Sequence, residues 1–279
     1  MSRSGSAPAA HRATPPSAPA EPAPERLGIA GFASASDVYE RGRPDYPTAF
    51  VNELAAHWAL RPGAWTVDLA AGTGKLARQL SRAGARVIAV EPSAAMRTQC
   101  VLSSTGVAVV GGSAEAIPLR QACADLITVA QAFHWFDPPR ALHEAARVLR
   151  PGGTLALVWN ERDTTVDWMA TLERILHGVG RSAQRPGDIV AADFDGDRHF
   201  GPFTRFQVGH QVEMTPVQVG DLVASRSYVR VLGEPERRAV LAEVAALVEP
   251  LGATVRFPYV TRAYCAKALP DGCGCGKEG

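Results

Sequence analysis

The chain has 279 residues, 46% of them apolar, and a net charge of +1. That is enough to bury one or two domain cores, and the near balance of charge leaves no basic footprint for nucleic acid. No apolar run approaches the roughly 18 residues that span a bilayer, and five cysteines, odd in number and without metal-ligand spacing, fit a reducing compartment. The expectation is a cytoplasmic protein, a monomer or homodimer, with no nucleic-acid or membrane partner and no metal.

Residues 1–34 are rich in Pro, Ala and Ser and lack an apolar signal core, so they read as a disordered arm rather than a secretory leader. Residues 35–267 read as one domain, with a ligand-binding core over 64–160 and a cap with the last strands over 161–267. Residues 268–279, which hold Cys273 and Cys275, read as a flexible tail. Pro47 to Leu60 predicts a helix with Pro near its first turn. TVDLA then predicts a strand, KLARQLSRAG a helix, RVIAV a strand and SAAMRTQCV a helix. GVAVVGG and DLITVAQ predict two more strands. PRALHEAARVLR predicts a helix stopped by Pro151-Gly152-Gly153, and TLALVWN a strand. Strands this apolar are covered on both faces, which implies a parallel sheet with right-handed crossover helices, an open doubly wound α/β fold. Beyond Asn160, VDWMATLERILHGVG predicts a helix, FTRFQVGHQVEMT and ATVRFPYVTRAYCAK strands, and Val217–Ser225 and Glu234–Val248 helices between them. Together these make a sheet of seven strands with helical cap insertions.

In such sheets ligands sit beyond the carboxyl ends of the strands. At the first of these ends stands VDLAAGTGKL, Val67 to Leu76. Gly72 and Gly74 let the chain turn sharply, approach a ligand and open a helix with free amides. Gly72-x-Gly74-x-x-Ala77 also matches a dinucleotide fingerprint, and Glu91 stands near where a ribose-binding acid belongs. Asp68 separates the two readings. A pyrophosphate is served by bare amides without a carboxylate beside them, whereas S-adenosylmethionine carries an ammonium and a sulfonium that a carboxylate complements, directly or through water. Glu91 closes the second strand and can accept both hydroxyls of a ribose, which suits adenosine ligands generally. Pro92 and Ser93 start the next helix. At the third strand end, GGSAEAIPL (residues 111–119) offers polar atoms and backbone amides to an adenine edge.

The segments VDLAAGTGKL, VIAVEPS, GGSAEAIPL, DLITVAQAFHWFD and RVLRPGGTLALVWN resemble the ordered motifs of class I S-adenosylmethionine-dependent methyltransferases. They are most similar to the small-molecule subgroup, methyltransferase type 11, that includes trans-aconitate-methyltransferase-like proteins. The match runs from about Tyr39 to Asn160, and a weaker one extends to about Lys267; the resemblance implies a mostly parallel seven-stranded sheet whose last strand is antiparallel. The resemblance implies that Asp68, Gly72 and Gly74 bind the methionine part of the cofactor, Glu91 the ribose, and that Ser113, Ala114 and Glu115 lie beside the adenine. With their neighbours Ala70, Thr73, Pro92 and Gln131 these form the expected cofactor set. Many relatives have Asp where Ser113 stands, and Gly in place of Ala70 or Ala71.

The acceptor is expected past the fourth strand. Phe133, His134, Trp135 and Phe136 follow Gln131. Aromatic faces favour a cationic sulfonium, and His134 is the candidate to orient the acceptor or take its proton. Asn160, at the fifth strand end, is a further pocket-lining residue. Tyr39, Arg43 and Tyr46, from YERGRPDYP, form a candidate lid, with Arg43 able to clamp a carboxylate. The expected activity is methyl transfer to a small, in one version anionic, molecule through a carboxylate, hydroxyl or amine. Two alternatives stand beside it. One is an NAD(P)-dependent oxidoreductase, which Asp68 and the lack of a Tyr-x-x-x-Lys relay count against. The other is a catalytically silent binder of the same cofactor.

Overall fold

The computed structural model describes residues 44–179 and 197–270. The N-terminal arm, Tyr39, Arg43, Cys273 and Cys275 lie outside the described residues. Helix α1 (Thr48–His57) leads into strand β1 (Trp65–Leu69), helix α2 (Lys75–Arg82), β2 (Arg86–Val90), α3 (Ala94–Ser103), β3 (Val107–Val110) and β4 (Ala124–Ala130). A single 3₁₀ turn (Phe133–Trp135) precedes α4 (Pro138–Val148) and β5 (Leu149–Arg162). Then come α5 (Asp167–His177), β6 (Thr204–Met214), α6 (Pro216–Ala224), the short α7 (Ser227–Arg230), α8 (Glu234–Val248) and β7 (Val255–Lys267).

The seven strands form one sheet in the order β3-β2-β1-β4-β5-β7-β6. The β1–β2, β1–β4, β2–β3 and β4–β5 pairs are parallel, and β7 runs antiparallel to both β5 and β6. This is the expected doubly wound sheet with a reversed last strand. The order reverses at β1, where crossovers pass from one face to the other, so the β1 and β4 tips flank the crevice where such sheets take ligands.

Side-chain alternation divides the core. Val67 and Leu69 of β1 join Ile127, Val129, Leu155, Leu157 and Trp159 under α4. On the other face Leu126, Ala156 and Val158 pack with α1 and α2 through Phe50, Leu54, Leu76 and Leu80. Asp68 pairs in register with Thr128 of β4, so the two polar side chains share that second face inside an otherwise apolar layer.

A third cluster forms on the outer half of β7, where Phe257 and Tyr259 meet Met169, Leu172, Val219, Leu222, Val240 and Val244 of α5, α6 and α8. The long β5, 14 residues, and β7, 13 residues, carry the sheet beyond the β4 tip, and the cap helices rest on that extension.

One boundary differs from expectation. Helix α4 ends at Val148, and Pro151-Gly152-Gly153 lies inside β5 instead of stopping a helix. Leu149 already pairs with Ala124, and the register then shifts so that Leu126 meets Thr154. The extra residues form a bulge held from β7's end, where the Gly152 N–H donates to the Ala268 carbonyl (3.0 Å) and the Ala268 N–H to Gly153 (2.8 Å). Among the described residues no helix is long and apolar enough to cross a membrane.

Candidate cofactor and acceptor site

The turn after β1 is built on positive φ. Ala70 (φ 54°), Gly72 (57°) and Gly74 (82°) are all left-handed. The two glycines meet different surroundings. A Cβ at Gly74 would lie 2.6 Å from both Cys100 Sγ and Ser104 Oγ of α3, so this glycine lets α2 seat against α3. A Cβ at Gly72 would project into open space. The backbone is thus bare on its open side at Gly72, where a ligand can reach it. Ala70 takes the same strained region with a side chain, at a cost of roughly 1–2 kcal/mol.

Two carboxylates flank this turn from below. Asp68 is 1% exposed, and its Oδ1 accepts a hydrogen bond from the Thr128 hydroxyl at 2.8 Å. Its Oδ2 is buried without a hydrogen-bond partner. Burial pushes its pKa up to about 7, the Thr128 hydroxyl and the Ala77 amide oppose that, and the Glu91 charge adds to it. Glu91, 6% exposed, accepts the Gly72 N–H on Oε2 (2.9 Å) and the Ser93 N–H on Oε1 (2.8 Å). Burial raises its pKa too, against these two amides and Arg97. Glu91 therefore clasps the loop as well as being the expected ribose acceptor. A carboxylate has about four lone-pair sites, so two remain. Pro92 is exposed beside it.

Thr73 is buried, and its carbonyl accepts from Arg78 Nη1 (2.9 Å) and Ser103 Oγ (3.0 Å). Lys75 pairs with Asp45 at 3.4 Å. These cations of α2 are thus engaged beside the loop, while two acids lie beneath it.

The loop after β3 is held from α4. The Ile117 N–H donates to Glu144 Oε2 (3.0 Å), and Arg147, paired with Glu144, donates to the carbonyls of Leu119 and Ile117 (both 2.9 Å). Ser113 bridges to Ala116, Ala114 packs into the core, and Glu115 Oε1 accepts the Asp137 N–H at the start of α4 (3.1 Å). Ser113, Ala114 and Glu115 thus lie together at the β3 end. The Glu144–Arg147 clasp that holds Ile117 and Leu119 just after them had no signal in the sequence, because a Glu and an Arg on a helix read as a solvated face.

Gln131 follows the end of β4 with φ 61°, and its amide Nε2 donates to the Asn160 carbonyl (2.9 Å). The Asn160 side-chain oxygen accepts the Thr261 hydroxyl of β7. The tip of β4 is thus tied to β5 and, through Asn160, to the middle of β7. Strained non-glycine backbone at both Ala70 and Gln131 falls at neighbouring strand tips, where such strain clusters at functional sites. Phe133 is buried against Phe136, whereas His134 is exposed and Trp135 is 41% exposed, their rings 4.8 Å apart. Two of the four aromatic-cluster residues therefore face solvent and two serve the core. Tyr46, expected in the lid, is buried against Phe50, and its carbonyl accepts from Gln79 at 2.6 Å.

Under the cap, Arg162 of β5 pairs with Glu173 of α5. Burial disfavours the guanidinium charge, but Glu173 and nearby Tyr228 outweigh it and hold the pKa above the ordinary value. Arg262 pairs with Glu161 on the opposite face. Both of these arginines are thus matched by a carboxylate. Thr128 is the other polar residue of the site that the sequence reading passed over. The signal for it was available: a buried Asp in a parallel strand needs a polar partner at the same height on its neighbour.

The methyltransferase type 11 family model, a methyltransferase domain, matches residues 67–157. The chain is 41% identical over 248 residues to an uncharacterized methyltransferase of Mycobacterium tuberculosis, covering 85% of this chain and 94% of that protein. An uncharacterized methyltransferase of Schizosaccharomyces pombe is 30% identical over 241 residues, covering 83% and 94%. Among solved structures, a provisionally assigned type II methyltransferase from Anaeromyxobacter dehalogenans superposes with a TM-score of 0.62 at 26% identity, covering 82% of this chain and 99% of that one.

Proposed function

The chain belongs to the S-adenosylmethionine-dependent methyltransferases, and from that premise we propose that it methylates a small molecule at a carboxylate, hydroxyl or amine, releasing S-adenosylhomocysteine. The observation that carries the reading is the pairing of two buried acids, Asp68 and Glu91, beneath a turn whose Gly72 is bare on its open side. The orphaned Asp68 Oδ2 and the empty space at Gly72 fit a cationic nucleoside donor. Two carboxylates under the turn suit a pyrophosphate poorly.

When bound, S-adenosylmethionine supplies a methyl group already activated on a sulfonium. The protein's work is then to hold and to exclude. In this reading Asp68 offers a buried negative charge to the amino-acid end, and the Gly72 and Gly74 turn lets the backbone come close. Glu91 spends its two remaining lone pairs on the ribose hydroxyls. Ser113, Ala114 and Glu115 border the adenine, with Ala70, Thr73, Pro92 and Gln131 completing the wall. Holding donor and acceptor in line can contribute roughly 7–11 kcal/mol in favourable cases. Cap helices α5 to α8 supply the water exclusion that strengthens such a site. On the acceptor side His134, Trp135 and Asn160 line the entrance, and His134 serves as orienting group or proton acceptor where the acceptor carries a proton. Tyr39 and Arg43 complete the proposed acceptor set.

The test is release of S-adenosylhomocysteine by the full chain over a panel of carboxylic acids, phenols and amines. Turnover with one class assigns the acceptor. Tight cofactor binding without transfer to any class would replace this reading with that of a silent binder.

A further inference from the structure

Thr128 is fully buried in β4, and its hydroxyl lies within reach of two acceptors, Asp68 Oδ1 at 2.8 Å and the Val67 carbonyl at 3.4 Å. A hydroxyl has one hydrogen to give. With Asp68 ionised, that hydrogen belongs on Oδ1. With Asp68 protonated, the acid can donate to Thr128 Oγ1, and the hydroxyl hydrogen can turn to Val67. The arrangement serves either state of the acid, in a layer where an unserved polar group is costly. The remaining Asp68 oxygen is buried without a hydrogen-bond partner, and besides Thr128 the Ala77 amide favours the charged form, though not enough to offset burial.

Resting on the cofactor reading above, we propose that Thr128 is a positioning residue of the cofactor site: its hydroxyl switches between the Val67 carbonyl and Asp68, and uptake of the cofactor's ammonium end locks it on an ionised Asp68, expelling one proton. The balance is simple. Protonated Asp68 in the free protein gives its proton to solvent, and the carboxylate remains, hydrogen-bonded by Thr128 and facing the ligand's positive charge. The charged and titratable groups around Asp68 do not supply the counter-charge themselves. Glu91 at the β2 end is an acid of like charge. Cys100 on α3 has a thiol whose pKa burial raises, so it stays neutral. Arg78 on α2 is engaged by the Thr73 carbonyl and Ser103. Burial of Asp68 puts the switch near neutrality, which makes it measurable.

The experiment is calorimetric titration of the full chain with S-adenosylhomocysteine, whose ammonium group does not titrate between pH 6 and 8. It is run in buffers of low and high ionisation enthalpy. Close to one proton should be released per ligand at pH 6 and little at pH 8, with affinity about tenfold tighter at pH 8. Thr128→Val should weaken binding more at pH 7 than at pH 9 and move the proton-release midpoint upward, and Thr128→Ser should restore both. A packing role alone lowers affinity equally at every pH. Tight binding without buffer dependence in the wild type overturns the proton coupling and leaves the cofactor reading intact. Proton release whose midpoint Thr128→Val does not move places the switch elsewhere and overturns the role of Thr128. Absence of binding at all pH values overturns the cofactor reading itself.

Discussion

Glu91→Gln removes a charge but keeps the shape of the side chain, and its effect follows from two hydrogen bonds. The carboxylate receives the Gly72 and Ser93 amides on separate oxygens, at 2.9 and 2.8 Å. A glutamine has one oxygen and one NH2, so whichever way the amide turns, one backbone N–H faces a donor. Each charge-assisted bond contributes about 1.5–3 kcal/mol, a neutral one about 1, and a buried unsatisfied N–H costs about 1–3. Burial of the charge offsets part of this loss, since the pKa of Glu91 is raised. The net destabilisation should be about 1.5–3 kcal/mol. For a domain of this size that lowers Tm by about 3–12 °C. Thermal unfolding followed by circular dichroism, without ligand, reads it. The variant should also lose most of the Tm increase that S-adenosylhomocysteine gives the wild type. A ligand-free Tm within about 1 °C of wild type would show that Glu91 does not clasp the turn.

The other predictions concern the same turn and its neighbours. Asp68 has a folded pKa raised from 3.8 to about 7, so its contribution to folding is favourable below pH 4 and is lost as pH rises toward 7. Asp68→Asn should therefore be nearly neutral for stability at pH 4 and stabilising by about 2–4 kcal/mol at pH 8, while cofactor binding is abolished; denaturant titrations at the two pH values check the sign. Gly74→Ala should destabilise by roughly 2–4 kcal/mol through strain and the collision with Cys100 and Ser104, whereas Gly72→Ala should cost only about 1–2 kcal/mol of strain yet block the ligand. Paired unfolding and binding measurements separate the two, and equal effects would contradict the open cradle at Gly72. Ala70→Gly should stabilise by about 0.5–1 kcal/mol, relief of a left-handed alanine less the entropy that glycine adds to the unfolded chain. His134→Ala, at an exposed position, should leave Tm and cofactor affinity unchanged and lower turnover or acceptor affinity.

Much of this fold was legible because its signals are local. Apolar runs such as RVIAV and LITVA declare buried parallel strands, and Gly-Thr-Gly after VDL declares a turn at a strand tip. The antiparallel β7 was expected from the family resemblance, not from any local signal. The less legible features depend on which strand lies beside which. Pro151-Gly152-Gly153 reads as a helix stop, and only the Ala268 partners across the sheet make it a bulge. Glu91 reads as a ligand acid, and only the meeting of the β1 and β2 tips shows that its oxygens also hold the turn. Thr128 is ordinary in a strand until the register sets it against Asp68. The acceptor end was least legible. The sequence of the cap helices records core packing in Met169, Leu172 and Val244 and says little of any ligand.

The central claim is that paired acids at the β1 and β2 tips prepare this turn for a cationic nucleoside and not for a phosphate. Calorimetric titration of the full chain with S-adenosylmethionine and, separately, with NADPH tests it most directly. One equivalent of S-adenosylmethionine should bind, with NADPH giving no heat of binding at the same concentrations. Uptake of NADPH by a chain indifferent to S-adenosylmethionine would contradict the account.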